Sequence, residues 1–375
     1  MAGIYIHVPF CKTRCAYCDF YSTTMKELKP RYVSALCHEL EMRHDYLHTE
    51  PVRTIYFGGG TPSQLASSDF GQIFATIEKV YGLSDCKEIT LEANPDDLTE
   101  DYLQELVTLP INRISMGIQT FHDDTLRLIG RRHTAQEAIE AVARCQQAGF
   151  QNISIDLIYG LPDETPSIWL KDLQTAISLG VQHISAYHLT YEEGTRLWKM
   201  LQRQEIAEVD EDTSVELFRI LCEEMRKAGY EHYEISNFAL PGYRSRHNSA
   251  YWHEVSYLGC GPGAHSFDGE SREWNISSLL QYIQALEQGK RDFERETLDK
   301  DTRYNELIMT RLRTCEGISL ASLKHRFGQV YHDYCLRLAA PYLHHGLLEQ
   351  KEDTLKLTQE GIFVSDDIIS DLMRV

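Results

Sequence analysis

The chain has 375 residues, of which 42% are hydrophobic and 25% charged, and its formal net charge is −19. This composition is typical of a globular protein with a sizeable core, and it does not favour a disordered chain. The acidic balance disfavours contact with phosphate backbones, so we expect no nucleic-acid partner. No apolar run approaches the roughly 18 residues of a membrane span, and the first ten residues lack a basic signal segment. We therefore expect a cytoplasmic protein without a membrane span.

Six runs rich in β-branched residues predict β-strands, and helical patterns lie between them. The strands are predicted at 3–9, 54–59, 88–94, 113–119, 152–160 and 183–190. A helix predicted at 31–47 follows Pro30. Another has Thr134 as its N-cap, Glu137 at the capping-box position and a stop at Gly149. Repetition of a strand followed by a helix predicts a parallel sheet with right-handed crossovers.

These strands alternate apolar and polar residues, which a parallel strand buried on both faces does not do. In the first strand the apolar residues are Ile4, Ile6 and Val8, and the residues between them are Tyr5 and His7. A period of two places the polar side chains on one face. Helices must cover the apolar face, so the polar face lines an open interior. The predicted fold is α/β: a partial (β/α)6 barrel with a ligand cavity.

The pattern changes after residue 190. A helix is predicted at 212–229, capped by Asp212 or Thr213 and ended by Gly229, and a strand follows it. Residues from about 300 read as helices, a hairpin and a last helix, which resembles a small α+β winged-helix unit. Because this segment is not basic, it is interpreted as a packing or lid domain. The predicted domains are 1–235 (barrel core), 236–298 (connecting region) and 299–375 (C-terminal domain).

Cys11, Cys15 and Cys18 form a C-x3-C-x2-C pattern in a loop that follows the first strand. In the cytoplasm such close spacing indicates metal binding or catalysis rather than disulfides. One alternative is a zinc site completed by His7. His7 lies inside a strand, however, and structural zinc sites usually use short C-x2-C knuckles. A [4Fe–4S] cluster held by three thiolates, with one iron left open, is therefore favoured.

Other polar or glycine-rich segments also lie where predicted strands end. The glycine run at 58–61 follows the second strand, and Glu92, Gln119 and Asp156 lie late in the next three. In (β/α) barrels the active site gathers at this end. The glycines let backbone approach a ligand and offer bare N–H and C=O groups. Alternatively, the two carboxylates are hydrogen-bonded interior groups, with Arg131 as a partner for Asp156.

With an aromatic before the last cysteine and "GGGTPS" after it, the cysteine pattern resembles the radical S-adenosylmethionine (SAM) superfamily. The segments "YIHVPFC", "LEANP", "GIQTF", "DLIYGLP" and "GPGAHSF" are similar to oxygen-independent coproporphyrinogen III oxidase and its relatives. The resemblance implies that SAM occupies the open iron. It implies that this SAM is lined by Tyr5, Tyr17, Gly59, Gly60, Thr61 and Glu92. Gln119, Arg131 and Asp156 match positions that contact a second SAM in the oxidase.

Two departures from the oxidase are visible. Phe20 stands where the oxidase carries a further cysteine, and the N-terminal extension of the oxidase is not present before Cys11. Both features are similar to the HemW-type subgroup of heme chaperones, whose H-N-x-x-Y-W motif matches "HNSAYW" at 247–252.

The motif implies heme contacts from His247, Asn248, Tyr251 and Trp252. An imidazole suits heme iron, and flat aromatic rings suit a porphyrin. The alternative from the residues alone is an aromatic packing corner. His253, Cys260 and His265 are rival or additional ligands.

The function predicted is a heme chaperone that binds heme, a [4Fe–4S] cluster and SAM and transfers heme to acceptor proteins. The rival is oxygen-independent coproporphyrinogen III oxidase, which decarboxylates propionates with a 5′-deoxyadenosyl radical. The predicted partners are heme-acceptor proteins, with a heme donor and peripheral contact with membrane haemoproteins as further options. Cleavage of SAM is left open by the resemblance.

Overall fold

The computed structural model describes residues 2–48 and 50–374. The six predicted strands are all present and follow one another across a parallel sheet. They are β1 (Ala2–Val8), β2 (Val52–Gly59), β3 (Glu88–Ala93), β4 (Arg113–Gln119), β5 (Ile153–Tyr159) and β6 (His183–His188). The predicted (β/α)6 arrangement is thereby confirmed.

Helices follow these strands and cover the outer face of the sheet. They are α1 (Lys29–Met42), α2 (Ser67–Tyr81), α3 (Glu100–Leu106), α4 (Asp123–Leu128), α5 (Ala135–Gln147) and α6 (Pro166–Ser178), followed by α7 (Arg196–Gln202) and α8 (Glu211–Lys227). The capping box of α5 is formed as predicted, since Thr134 and Glu137 bond each other's backbone N–H. The predicted cap of α8 was wrong by two residues or more: Asp210 accepts from the N–H of Thr213.

Further strands extend the sheet at both edges. A hairpin of β7 (Glu231–Glu234) and β8 (Asn237–Ala239) adds antiparallel to β6, where one strand had been predicted. After α9 (Arg246–Trp252), β9 (Tyr257–Cys260) pairs parallel with β1. Beyond β9 lie β10 (His265–Phe267), β11 (Ser271–Asn275) and, after α10 (Leu279–Glu287), the edge strand β12 (Phe293–Thr297). Over the described residues the result is a sheet of twelve strands.

The core lies between the sheet and the helices. Ile4, Ile6 and Val8 of β1 are fully buried in it, and so is Trp169 of α6. The alternate residues Tyr5 and His7 belong to the other face, which is lined with polar and aromatic side chains. The period of two in the sequence therefore corresponds to a dry outer face and a polar interior.

A buried carboxylate ties α1 to the strands added beyond β1. Glu39 is fully buried. It accepts hydrogen bonds from the hydroxyl of Tyr282 at 2.6 Å, the backbone N–H of Gly261 at 2.9 Å and the amide of Asn275 at 2.7 Å. Arg43, one turn further along α1, donates to the carbonyl of Gly259 at 2.8 Å. A buried charge with this many donors is satisfied, and it holds β9 and its neighbours in place.

The C-terminal segment has its own sheet and core. Its elements are α11 (Lys300–Leu312), β13 (Ile318–Ser319), α12 (Leu320–Phe327), α13 (Gln329–His344), β14 (Leu348–Lys351), β15 (Thr354–Leu357), α14 (Gln359–Ile362) and α15 (Ser365–Leu372). Their buried side chains form a cluster separate from that of the barrel. Across residues 2–48 and 50–374, no helix combines the length and apolar character needed to cross a membrane.

Candidate functional site

A cavity of about 580 Å³ opens at the C-terminal ends of the barrel strands. It contains all but one of the residues predicted for the cluster and SAM. These are Cys11, Cys15, Cys18, Tyr17, Gly59, Gly60, Thr61, Glu92, Gln119, Arg131 and Asp156. Tyr5 is the exception: it lies in the barrel interior, stacked on Tyr56 at 6.2 Å between ring centroids. The volume falls within the roughly 300–1,000 Å³ of small-molecule sites.

The three cysteines of the loop are free thiols, and two of them receive hydrogen bonds from the side chains of Thr61 and Arg131. The hydroxyl of Thr61 donates to Cys11 Sγ and Arg131 Nη1 donates to Cys15 Sγ, each at 3.4 Å. Donors aimed at sulfur stabilise thiolates, the form that ligates iron. The donor set therefore fits a thiolate-held cluster.

His7 does not point its nitrogens at these cysteines. Its Nε2 donates to the carbonyl of Tyr21 at 3.0 Å, and its Nδ1 accepts from the hydroxyl of Tyr5 at 3.3 Å. Both nitrogens are occupied by the chain itself, which argues against the zinc alternative. His7 instead fastens the end of the cysteine loop to β1.

The glycine run is required by the chain itself. A Cβ on Gly59, whose φ is +105°, would lie 2.6 Å from the ring of His7. A Cβ on Gly60 would lie 2.8 Å from the carbonyl carbon of Pro9. The sequence predicted unpaired backbone N–H groups in this run. The N–H of Gly60 instead donates to Val8 O at 2.9 Å. The run lets β2 pass close to β1 where the cysteine loop begins.

Glu92 is held by two donors at the wall of the cavity. The hydroxyl of Tyr56 donates to its Oε1 at 2.8 Å, and the N–H of Gly59 donates to its Oε2 at 3.2 Å. Burial raises the pKa of Glu92 to about 7, against the effect of the Tyr56 hydrogen bond. This carboxyl can therefore exchange a proton near neutral pH.

Asp156 is bonded differently from the prediction. Burial raises its pKa, and hydrogen bonds from Ser185 and Ser115 oppose that rise. Arg131 does not form an ion pair with it among the described residues. Its Nη2 donates to Gly117 O and, at 2.6 Å, to Asn94 Oδ1. Arg131 thus braces the cysteine loop against β3 and β4.

Gln119 is strained at the end of β4. Its φ is +79°, a left-handed conformation that non-glycine residues rarely adopt. The pairing of β4 with β5 shifts register between Gly117 and Gln119, which is the mark of a bulge. Strained residues of this kind cluster at functional sites, where they re-aim a side chain.

Several cavity residues were not singled out from the sequence. Asn94 accepts from Arg131 and donates to Thr61 Oγ1 at 3.4 Å, so it joins two predicted residues. Tyr187 and His188 line the cavity from the end of β6. The rule that strand ends form the site was available for β6 as well and would have found them. Phe20, at the mouth, is 65% exposed.

The residues of "HNSAYW" lie apart from this cavity, on α9. His247 is 1% exposed and lies inside the barrel near the start of β2. Its ring nitrogens bond Thr54 Oγ1 and the hydroxyl of Tyr251, each at 2.8 Å. Its ring stacks on Tyr56 at 5.1 Å. Burial lowers the pKa of His247 to about 3. Ligation of heme iron would require one of these two hydrogen bonds to break.

Tyr251 and Trp252 line a second, smaller cavity of about 210 Å³. Asn248 is half-buried, and its N–H bonds the capping hydroxyl of Ser245 at 3.3 Å. Among the rival ligands, Cys260 is fully buried. His265 is exposed and stacks on Trp274 at 5.7 Å.

Comparison with known proteins agrees with this geometry. Residues 5–176 match the model of the Radical SAM superfamily, and residues 298–364 match that of the HemN C-terminal domain. The solved structure of coproporphyrinogen III oxidase (HemN) from Escherichia coli superposes with a TM-score of 0.86. It covers 99% of this chain and 90% of that one, at 22% identity. This is a likeness of fold.

The sequence relatives are more similar. The heme chaperone HemW of Lactococcus lactis is 32% identical over 365 residues, or 97% of this chain and 95% of that protein. HemW of Bacillus subtilis is 32% identical over 373 residues, or 98% of each chain. HemW of Mycobacterium tuberculosis is 32% identical over 99% of this chain and 94% of that protein.

The partial barrel and the three-cysteine loop at its mouth define a protein of the radical SAM class. Within that class, the similarity of this chain to the three HemW proteins covers 97–99% of its length. The chain belongs to the HemW family.

Proposed function

We propose that this protein is a heme chaperone that binds heme, a [4Fe–4S] cluster and SAM and transfers the heme to acceptor proteins. The observation that carries the proposal is the 32% identity with heme chaperones over 97–99% of this chain. The match includes both the cysteine loop and the segment of α9. Phe20, in the place of a further cysteine of the oxidase, favours the chaperone over the rival.

Cys11, Cys15 and Cys18 are the proposed cluster ligands. Thr61 and Arg131 would orient and stabilise their thiolates through the hydrogen bonds to sulfur. When bound, the cluster supplies an open iron position and an electron for chemistry on SAM. The chain supplies the shape of the cavity and the hydrogen-bond donors.

SAM is proposed to occupy the cavity beside this loop. Thr61, Gly59, Gly60 and Tyr17 form its walls next to the cysteines, and Glu92 presents a carboxyl that is held by Tyr56. Ionised Glu92 would attract the positive charges of SAM. Elsewhere in the cavity, Asp156 and Gln119 offer polar groups for a second SAM or another ligand, and so does Arg131 beside Cys15.

Heme is proposed to contact α9, where Tyr251 and Trp252 present aromatic surface to the second cavity. Asn248 lies on the same helix. His247 lies behind Tyr251 and supports it through the hydrogen bond at 2.8 Å. The proposed partners are a heme donor and heme-free acceptor proteins, with peripheral contact with membrane haemoproteins included.

The experiment uses the full chain, reconstituted anaerobically with iron and sulfide. Titration with ferric heme, followed by Soret absorbance, should give saturable binding. Addition of a heme-free acceptor protein should then move the Soret band to that of the acceptor. The rival is tested in parallel with coproporphyrinogen III, SAM and a reductant. Protoporphyrinogen IX as a product would refute a chaperone-only role, and absence of saturable heme binding would refute the chaperone itself.

His247 is tested by its conservative variant. His247→Gln keeps hydrogen-bonding groups near Thr54 and Tyr251 but cannot ligate heme iron through an imidazole. If His247 ligates the iron, the variant should lose the Soret signature of imidazole-bound heme. An unchanged spectrum and affinity would remove His247 from the heme site.

A further inference from the structure

Two residues that line the second cavity carry buried donors that lack acceptors among the described residues. Trp252 Nε1 and Arg272 Nε are shielded from solvent, and neither finds a hydrogen-bond partner in the part of the chain that the structure describes. Both residues line the cavity of about 210 Å³. An unmet buried donor costs about 1–3 kcal/mol, and more when the group is charged. Both residues line one cavity, so an acceptor group of a ligand that enters it would meet these donors once the atoms that cover them move aside.

The rest of the lining describes the ligand. Tyr251, Tyr257 and Phe267 provide aromatic walls, with the rings of Tyr251 and Tyr257 centred 4.6 Å apart. A cavity smaller than the roughly 300–1,000 Å³ of complete small-molecule sites holds only part of a larger ligand. The lining residues Tyr251, Trp252 and Arg272 are only partly buried, so the remainder of the ligand can extend outside.

The charged side chains of the lining are two carboxylates and one arginine, and of these three only the arginine retains an unpaired N–H for an anionic acceptor. Arg272 Nη2 bonds Glu306 Oε1 at 3.0 Å, which leaves its Nε free to bind a second carboxylate. Glu254, the other acid of the lining, is occupied by a bidentate pair with Arg326 at 2.6 and 2.9 Å. Burial raises the pKa of Glu306, so this competitor can give up its charge when another carboxylate enters.

We infer that this cavity binds the carboxylate-bearing edge of a flat, apolar ring, with Arg272 and Trp252 as the donors to the carboxylate. The inference rests on the proposed function, under which the ligand is heme and the carboxylate is one of its propionates. Arg272 then selects a porphyrin with free carboxylates over one without them, and the walls from α9, β10 and α11 bury that edge.

The test compares ferric heme with ferric heme dimethyl ester, in which both carboxylates are blocked. The wild-type chain should bind heme roughly 10- to 100-fold more tightly than the ester, since a hydrogen bond to a charged group has that effect. Arg272→Gln should weaken heme binding by a similar factor and leave ester binding unchanged. Trp252→Phe, which keeps an aromatic ring but removes the N–H, should lose a smaller part of the discrimination.

Two variants serve as controls. Arg295→Gln removes an exposed arginine of β12 that does not line the cavity and should retain full discrimination. Glu306→Gln removes the competitor for Arg272 and should bind heme at least as tightly as the wild type. Urea unfolding of each variant verifies that the fold is kept.

The outcomes separate the two proposals. Equal binding of heme and ester by the wild type overturns the inference and leaves the proposed function standing. So does an equal loss of both porphyrins in Arg272→Gln, because the arginine would then act through the fold alone. Absence of any heme binding by the wild type overturns the proposed function and this inference together.

Discussion

Acid should destabilise this protein through His247, because the ring is buried in its neutral form. The pKa of His247 is lowered to about 3 by burial, against about 6.5 for an exposed imidazole. Between pH 3 and pH 6.5 the unfolded chain binds a proton at His247, whereas the folded chain does not. The contribution of His247 to the free energy of unfolding is therefore fully present above pH 6.5 and is lost as the pH falls towards 3. Between pH 7 and pH 5 the loss amounts to about 2 kcal/mol.

Other buried groups titrate over the same range, so the measurement is a difference between two proteins. His183, whose pKa burial also lowers, and Glu92, whose pKa burial raises, act in opposite directions. Their effects cancel when the wild type is compared with His247→Gln. The free energy of unfolding is obtained from urea titrations at pH 7, 6 and 5, followed by the fluorescence of buried Trp169.

The wild type should lose about 2 kcal/mol more than His247→Gln between pH 7 and pH 5. Replacement of the exposed His325 by glutamine is the matched control and should leave the wild-type pH dependence in place. Parallel curves for the wild type and His247→Gln would refute the reasoning, because His247 would then be hydrated or charged in the folded protein.

Three further predictions concern the cysteine loop and the glycine run at 58–61 beside it. Cys18→Ala should lower the iron and sulfide content after reconstitution, whereas Cys37→Ala, outside the cavity, should not; full loading of Cys18→Ala would contradict the ligand assignment. Gly60→Ala should cost about 1–3 kcal/mol in urea unfolding, since its Cβ meets backbone at 2.8 Å. Gly71→Ala, on a helix with nothing within 4 Å, should be neutral or stabilising, and the reverse order would refute the argument. Thr61→Val removes the donor to Cys11 Sγ, so voltammetry should show a more negative cluster potential; an unchanged potential would count against that bond.

The central part of the fold could be predicted because its signals are local. Each of the six strands carries its own alternation, and α5 carries its own capping box. The strands β9 to β12 escaped prediction because they are only three to five residues long. Strands of this length depend on their partners. β9 is a strand because it pairs with β1, which lies far from it in the sequence, so the pairing could not be predicted from local residues.

The same distinction applies to the sites. Residues at the ends of barrel strands could be expected to share one cavity, and the structure brings Cys11, Glu92 and Asp156 together there. The placement of His247 could not be foreseen. It follows from packing between Thr54, Tyr56 and Gly3, where a Cβ would lie 3.2 Å from the imidazole. The orphaned donors of Trp252 and Arg272 are likewise visible only in three dimensions.

The position of β1 has a consequence for how the protein is made. β1 leaves the ribosome before the other strands of the sheet, but one of its edges remains unpaired until β9 has been translated, since Gly3 pairs with Tyr257. At roughly 5–20 residues per second this delay lasts on the order of tens of seconds. During that time an apolar strand with unmet backbone groups is open to wrong pairing. The cysteine loop follows β1 directly and bonds Ile129 and Leu197 through the backbone of Ala16, each at 2.8 Å. Its thiols therefore reach their final places only after residue 197 has been translated, and under the proposed function iron is best delivered after that point.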